Sequence, residues 1–124
     1  MKSCKILIAD DNQSFRKRLK SILTDYPDFR IAGEAEDGFQ VLKESRRLKP
    51  DLILMDVSMP GLNGLDTLKK LRKNMPHIKI IMLSVYDMDA YRKAAQENGA
   101  DRYLIKKDMI DHLMPAIKSV LKKH

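Results

Sequence analysis

The stretch LILMDVSMPGLNG, Leu52 to Gly64, drives an apolar run straight into a carboxylate, Asp56, and then into a Met-Pro-Gly turn. Three other apolar runs end in the same abrupt way. ILIADDN closes on the pair Asp10 and Asp11, IIMLS closes on Ser84, and YLIKK runs into Lys106. Three carboxylates gathered at one place repel one another, and the usual relief is a raised pKa or a bound cation. An all-oxygen ligand set favours magnesium, calcium or manganese, and a site with few protein ligands that keeps several waters suits Mg2+ best. Magnesium in turn points to phosphate. A carboxylate beside it can attack a phosphoryl group and form an aspartyl phosphate, with Lys106 balancing the charge and Ser84 donating a hydrogen bond to a transferring oxygen.

The elements that must bring these residues together are legible in the hydrophobic pattern. Strand-like runs at Lys5 to Asp10, Phe29 to Glu34, Leu52 to Asp56, Ile78 to Ser84 and Arg102 to Ile105 alternate with helical patterns at about 12–25, 38–48, 62–74, 87–98 and 108–123. That alternation is the signature of βαβ units and a parallel sheet. Phe15, Leu19, Ile22 and Leu23 form one core stripe; Ile110, Leu113, Met114, Ile117 and Leu121 form another. Breakers at Pro27, Gly38, Pro50, Pro60-Gly61, Pro76 and Gly99 fall between the runs. The expected architecture is α/β: a (βα)5 doubly wound, parallel five-stranded sheet in a three-layer sandwich, with residues 1–124 as one domain. In such a sheet, functional groups gather outside the carboxyl ends of the strands, which is where all five candidates lie.

Composition narrows the function classes. Twenty-four Lys and Arg against 17 Asp and Glu give the 124 residues a net charge of +7. The cations are spread as RKRLK, RRLK, KKLRK and IKSVLKK, alternating with apolar positions at helical spacing, a pattern read here as solvated outer faces. Without aromatic interleaving or a helix-turn-helix, direct nucleic-acid binding by this domain is not expected. The lone Cys4 reads as a small core residue in a reducing compartment, and no apolar run approaches the roughly 20 residues of a membrane span. A cytoplasmic location is therefore expected. His77, His112 and His124 read as surface residues, and Met55, Met59, Met82 and Met114 as flexible core filler.

The four motifs ILIADDN (Ile6 to Asn12), LILMDVSMPGLNGLD (Leu52 to Asp66), IIMLS (Ile80 to Ser84) and GADRYLIKK (Gly99 to Lys107), in this order and at this spacing, resemble the receiver domain of two-component response regulators over nearly the whole chain. The resemblance implies a flavodoxin-like, CheY-like fold with Asp56 as the phosphoacceptor. Asp10, Asp11, Asp56 and the main-chain carbonyl of Ser58 match the magnesium ligands. Ser84 and Lys106 match the hydroxyl and lysine that act with Asp56, and Tyr103 matches the aromatic switch position. The implied function is a phosphorylation-controlled signalling switch that takes its phosphoryl group from a sensor histidine kinase. The implied output is a downstream effector or an attached DNA-binding domain, with a homodimer formed on phosphorylation. Such a domain catalyses its own phosphorylation and slow autodephosphorylation without being a conventional enzyme.

YLIKKD, with Lys107 where many relatives have proline, is similar to receivers coupled to LuxR/NarL-type DNA-binding domains. Val85 stands where the family commonly has a small residue, which predicts a long-lived phosphoryl group tuned further by Ser58 and Tyr86. Met88, Tyr91, Tyr103 and Met109 are expected to line the output face. The simpler readings are that Asp11 or Asn12 caps the first helix, that Tyr103 is a core-edge tyrosine, and that Pro60-Gly61 is only a turn. Among rival functions, a flavin-phosphate binder needs a first loop rich in Ser, Thr and Gly, where this chain has DDNQSF. A P-loop enzyme needs a Gly-Lys-Ser/Thr loop that is missing. An aspartyl phosphatase would place a second acid where Ser58 stands. The remaining alternative is a pseudo-receiver, a phosphorylation-independent interaction module on the same fold.

Overall fold

The computed structural model describes residues 3–122. Within them, strands β1 (Cys4–Ala9), β2 (Phe29–Ala35), β3 (Leu52–Asp56), β4 (Lys79–Ser84) and β5 (Arg102–Ile105) alternate with helices α1 (Gln13–Leu23), α2 (Gly38–Leu48), α3 (Gly64–Asn74), α4 (Asp89–Glu97) and α5 (Met109–Leu121). A 3-10 turn at Lys106–Asp108 leads into α5. The strands pair in parallel in the order β2-β1-β3-β4-β5. The chain winds to one side from β1 to β2 and to the other from β3 onward, so the order reverses between β1 and β3. No helix among the described residues is long and apolar enough to cross a membrane.

Alternating side chains of the strands feed two cores. Ile6, Ile8, Leu52, Leu54, Ile81 and Leu83 meet Phe15, Leu19 and Leu23 of α1 and Met109, Leu113 and Ile117 of α5. Leu7, Ala9, Ile53, Met55, Ile80 and Met82 meet Val41 of α2, Leu68 and Leu71 of α3 and Ala95 of α4. A strand covered by helices on both faces must be apolar at every position, which is why β3 reads as a continuous run. Its charged last residue is therefore placed by the whole of the strand before it.

β3 and β5 have the bounds expected from sequence. β1 lies one residue earlier than expected, which leaves Asp10 just beyond the strand, and β2 runs one residue further, to Ala35. β4 begins at Lys79 because Ile78 closes a turn onto the carbonyl of Met75. The first and third helices start later than expected because Asn12 and Asn63 are caps, accepting hydrogen bonds from the backbone N–H groups of Phe15 and Asp66. The expected last helical residue, Lys123, and the expected surface residue His124 lie outside the described residues.

Four readings need correction. Ile110 is not on the core stripe of α5: it is 69% exposed, and Met109 is fully buried in its place. The 3-10 turn delivers α5 with a different phase from the one counted back from Leu113. For the same reason Met109 cannot line an output face. Arg16 and Arg72 are not on solvated faces. Arg16 is 7% exposed, and Arg72 is held by the carbonyls of Gly99, Pro76 and Ile78 and by Asp101. Cys4 is half-buried against the core, as are Ile22 and Met114.

Candidate functional site

β1 and β3 flank the point where the strand order reverses, and each delivers an aspartate to the same rim. Asp10 and Asp56 are both buried, Asp56 with 6% of its surface exposed, whereas Asp11 is open to solvent. One carboxylate oxygen from each of the three lies within 4.8 Å of the others. The backbone N–H of Asn12 donates to Asp10 Oδ1 (2.8 Å) and Lys106 Nζ donates to Asp10 Oδ2 (2.7 Å). Asn12 thus takes the capping role itself and leaves both aspartates of the pair free for the rim.

Lys106 reaches Asp56 less closely, at 3.5 Å, and its ammonium sits 4.2 Å from the centroid of the Phe15 ring. The ring gives the cation a favourable face while closing it off from bulk water. Burial pushes the Asp56 carboxyl up from 3.8 to about 6. The negative charge of Asp10 adds to the rise; Lys106 and the Ser58 N–H, which donates to Asp56 Oδ1 at 3.3 Å, oppose it.

Two features of the loop after β3 hold Asp56 in place. The N–H of Gly64 donates to the carbonyl of Val57 (2.9 Å), and a Cβ on Gly64 would stand 2.2 Å from the carbonyl oxygen of Asp56. Only glycine lets α3 begin that close to the strand end. Gly61, with φ of 70°, supplies the left-handed turn that the intervening loop requires.

Ser84 ends β4, the strand beside β3, one residue beyond the partner of Asp56, Leu83. It is buried, and its Oγ accepts the N–H of Tyr86 at 2.9 Å, leaving the hydroxyl hydrogen free to be donated elsewhere. Tyr103, on β5, is half-buried, and its hydroxyl donates to the carbonyl of Tyr86 (2.9 Å). Burial holds its phenol above the usual range. An open groove of about 490 Å3, bordered by Asp11, Ser58, Pro60 and Tyr91, lies against the rim.

All the residues singled out in sequence therefore sit at one end of the sheet, Tyr103 at its margin. Three neighbours went unrecognised: Phe15 under the Lys106 ammonium, Arg92 stacked 5.0 Å over the Tyr103 ring, and Arg16 bonded to the carbonyl of Asp10. A signal for Arg16 existed. The positions Asn12, Arg16, Leu19 and Leu23 share one helical face, so a cation in that row is on the buried side of α1.

This topology and sequence have known counterparts. The family model for the response regulator receiver domain matches residues 6–118. The transcriptional regulatory protein DegU of Brevibacillus brevis is 36% identical over 115 residues, which cover 93% of this chain and 49% of DegU. The nitrate/nitrite response regulator protein NarL of Escherichia coli K12 is 38% identical over 112 residues, covering 90% of this chain and 52% of NarL. Among solved structures, a DNA-binding response regulator of the LuxR family from Staphylococcus aureus superposes with a TM-score of 0.88 at 27% identity, over 94% of this chain and 98% of that one. The chain spans about half the length of the curated relatives it matches. By the family model and by these relatives of LuxR/NarL type, the chain belongs to the response regulator receiver domains of two-component signalling.

Proposed function

We propose that residues 1–124 act as one phosphorylation-controlled receiver unit in which Asp56 accepts a phosphoryl group from a phosphohistidine of a sensor kinase. The observation that carries this reading is the convergence of Asp10, Asp11, Asp56 and Lys106 on the strand ends flanking the sheet's switch point. An Asp56 carboxylate oxygen forms a bond to phosphorus as the nitrogen–phosphorus bond of the donor breaks, and the leaving imidazole takes up a proton. The product is an aspartyl phosphate, which water later cleaves to inorganic phosphate and the restored carboxylate.

The donor set fits a hard divalent cation: three carboxylate oxygens within 4.8 Å, one of them exposed, offer oxygen ligands and room for water. Asp10, Asp11, Asp56 and the carbonyl of Ser58 would hold Mg2+. When bound, it supplies positive charge against the carboxylates and the transferring oxygens. Lys106 adds a fixed positive charge at the same place. Ser84 keeps a hydroxyl hydrogen for a phosphoryl oxygen, and any shift of Ser84 toward that oxygen disturbs the backbone of Tyr86, which Tyr103 also grips. Through that shared contact the phosphoryl state reaches the surface around α4 and β5.

On this reading the output is control of a downstream effector or an attached DNA-binding domain, in the cytoplasm, by way of a phosphorylation-dependent homodimer. The names of the LuxR/NarL-type relatives support a transcriptional output. The test is intact mass after incubation with a small acyl phosphate or a cognate kinase and Mg2+. One added phosphoryl group that disappears with chelator and in Asp56→Asn is the expected result. A folded parent that gains none from either donor refutes the reading and leaves a phosphorylation-independent interaction module.

A further inference from the structure

Arg16 takes no part in the chemistry proposed above, yet it is a buried cation bonded to the main chain of Asp10 and to the carboxylate of Glu34. Its Nε donates to Glu34 Oε1 at 2.8 Å, and its Nη1 donates to the main-chain carbonyl of Asp10. Glu34 Oε2 in turn accepts from Lys20 Nζ at 2.8 Å. The guanidinium is thus fixed on one side by β2 and spends its other arm on the backbone of a candidate metal ligand. A charged group is costly to bury, and here the cost is offset by two charge-assisted hydrogen bonds with the fork geometry that only arginine has.

What Arg16 fixes is a peptide plane. The plane that carries the carbonyl of Asp10 also carries the N–H of Asp11, because the bond between them cannot rotate. Asp10 is otherwise well held: its own N–H donates to the carbonyl of Ala35 (3.0 Å), and its carboxylate takes the Asn12 N–H and Lys106. Asp11 is different. It is exposed, and among the described residues its side chain makes no hydrogen bond. Its position relative to Asp10 and Asp56 therefore depends on the orientation of the preceding peptide, and Arg16 is what sets that orientation.

The structure assigns Arg16 as a positioning residue for the Asp10–Asp11–Asp56 cation site, oriented by Glu34. This rests on the reading of that site given under Proposed function. Without the guanidinium, the Asp10 carbonyl loses its donor, the plane turns toward water, and Asp11 turns with it. A lysine at this position reaches one of the two acceptors but cannot span both.

Binding of Mn2+, followed by the paramagnetic resonance of the free ion, measures this without reference to phosphoryl transfer. Loss of an outer partner of a metal ligand typically weakens binding by about 10-fold or more, so Arg16→Met is expected to weaken Mn2+ by about 10-fold and Arg16→Lys by less. In phosphorylation assays the half-saturating Mg2+ concentration should rise in parallel, while the rate at saturating Mg2+ stays near that of the parent. A merely structural role would lower the urea midpoint and leave both cation measurements unmoved. A folded Arg16→Met that binds Mn2+ within about 2-fold of the parent overturns the assignment. Should that variant not fold, parent-like affinity in Arg16→Lys overturns it equally. A parent that binds no Mn2+, or an Asp11→Asn variant that binds as tightly as the parent, overturns the reading of the site itself and the assignment with it.

Discussion

Replacing Asp56 by asparagine is expected to make the cation-free protein more stable at pH 7, although it removes the residue on which the proposed function depends. The folded state holds the carboxyl at about 6 against an ordinary 3.8, so folding favours its protonated form. A folded pKa raised above the unfolded one is neutral for stability below pH 3.8, where the group is protonated in both states. The cost grows as pH rises from there and is complete above about 6. A shift of about 2 units corresponds to about 3 kcal/mol at pH 7, because each unit is worth about 1.4 kcal/mol. For a domain of this size that is a rise in melting temperature of about 10 °C. Asparagine carries no charge to desolvate, and Lys106 keeps its nearer partner, Asp10 at 2.7 Å, when the longer contact at 3.5 Å is lost.

The measurement is calorimetric melting of parent and Asp56→Asn in chelator at pH 4, 5, 6 and 7. The gap between the two curves reads the charge on Asp56 together with its coupling to Asp10 and Lys106. It should be near zero at pH 4, open between pH 4 and 6, and reach its full size by pH 7. A gap that is flat with pH, or a variant that melts below the parent at pH 7, refutes the reasoning. Excess Mg2+ should then raise the melting temperature of the parent more than that of Asp56→Asn, because cation binding to the folded state alone stabilises it.

Gly64→Ala should cost about 2 kcal/mol in urea unfolding and slow phosphoryl uptake, because the new Cβ meets the Asp56 carbonyl and the backbone of Val57; unchanged stability would show that α3 can withdraw freely. Val85, 66% exposed beside Ser84, is expected to hinder the attacking water, so Val85→Ala should shorten the half-life of the aspartyl phosphate several-fold, and an equal half-life rejects that role. Burial next to Asp51 pushes the Cys4 thiol up to about 11, so alkylation by iodoacetamide at pH 8 should run about 100-fold slower than for an unperturbed cysteine; a rate near that of the free amino acid would mean the thiol is open to solvent.

How far the sequence discloses this molecule depends on which physical constraint acts at each position. β3 and β5 are read to the residue because a two-sided sheet demands continuous apolar runs and the flanking turns are abrupt. Asp10, Asp11, Asp56, Ser84 and Lys106 are found because each lies at or just past the end of such a run, so topology brings them to one rim, whereas Ser58 and Tyr103 end no run and are reached only through the family resemblance. α5 is read with the wrong phase because its first turn is not α-helical, and periodicity counted through a 3-10 turn places Ile110 inside where Met109 belongs. Arg16 and Arg72 fail for another reason. A hydrophobicity pattern counts every arginine as exterior, whereas a guanidinium that finds carbonyls and carboxylates for its donors is stable inside, and those acceptors lie 4 to 29 residues away in the chain.

The charges at the rim favour a divalent cation over a monovalent one. With the three carboxylates ionised, Asp10, Asp11 and Asp56 outweigh Lys106 by two negative charges, and Arg16 does not change that locally because its arms go to a backbone carbonyl and to Glu34. The proton that burial holds on Asp56 up to about pH 6 relieves half of this excess. A divalent cation held by Asp10, Asp11 and Asp56 would relieve all of it and would compete with that proton for the Asp56 carboxylate. Cation affinity should therefore rise with pH across the range from about 5 to 7 and level off above it. Mn2+ titrations at fixed ionic strength on either side of pH 6 would show this directly, and an affinity that is the same at pH 5 and pH 7 would mean that Asp56 carries no proton for the cation to displace.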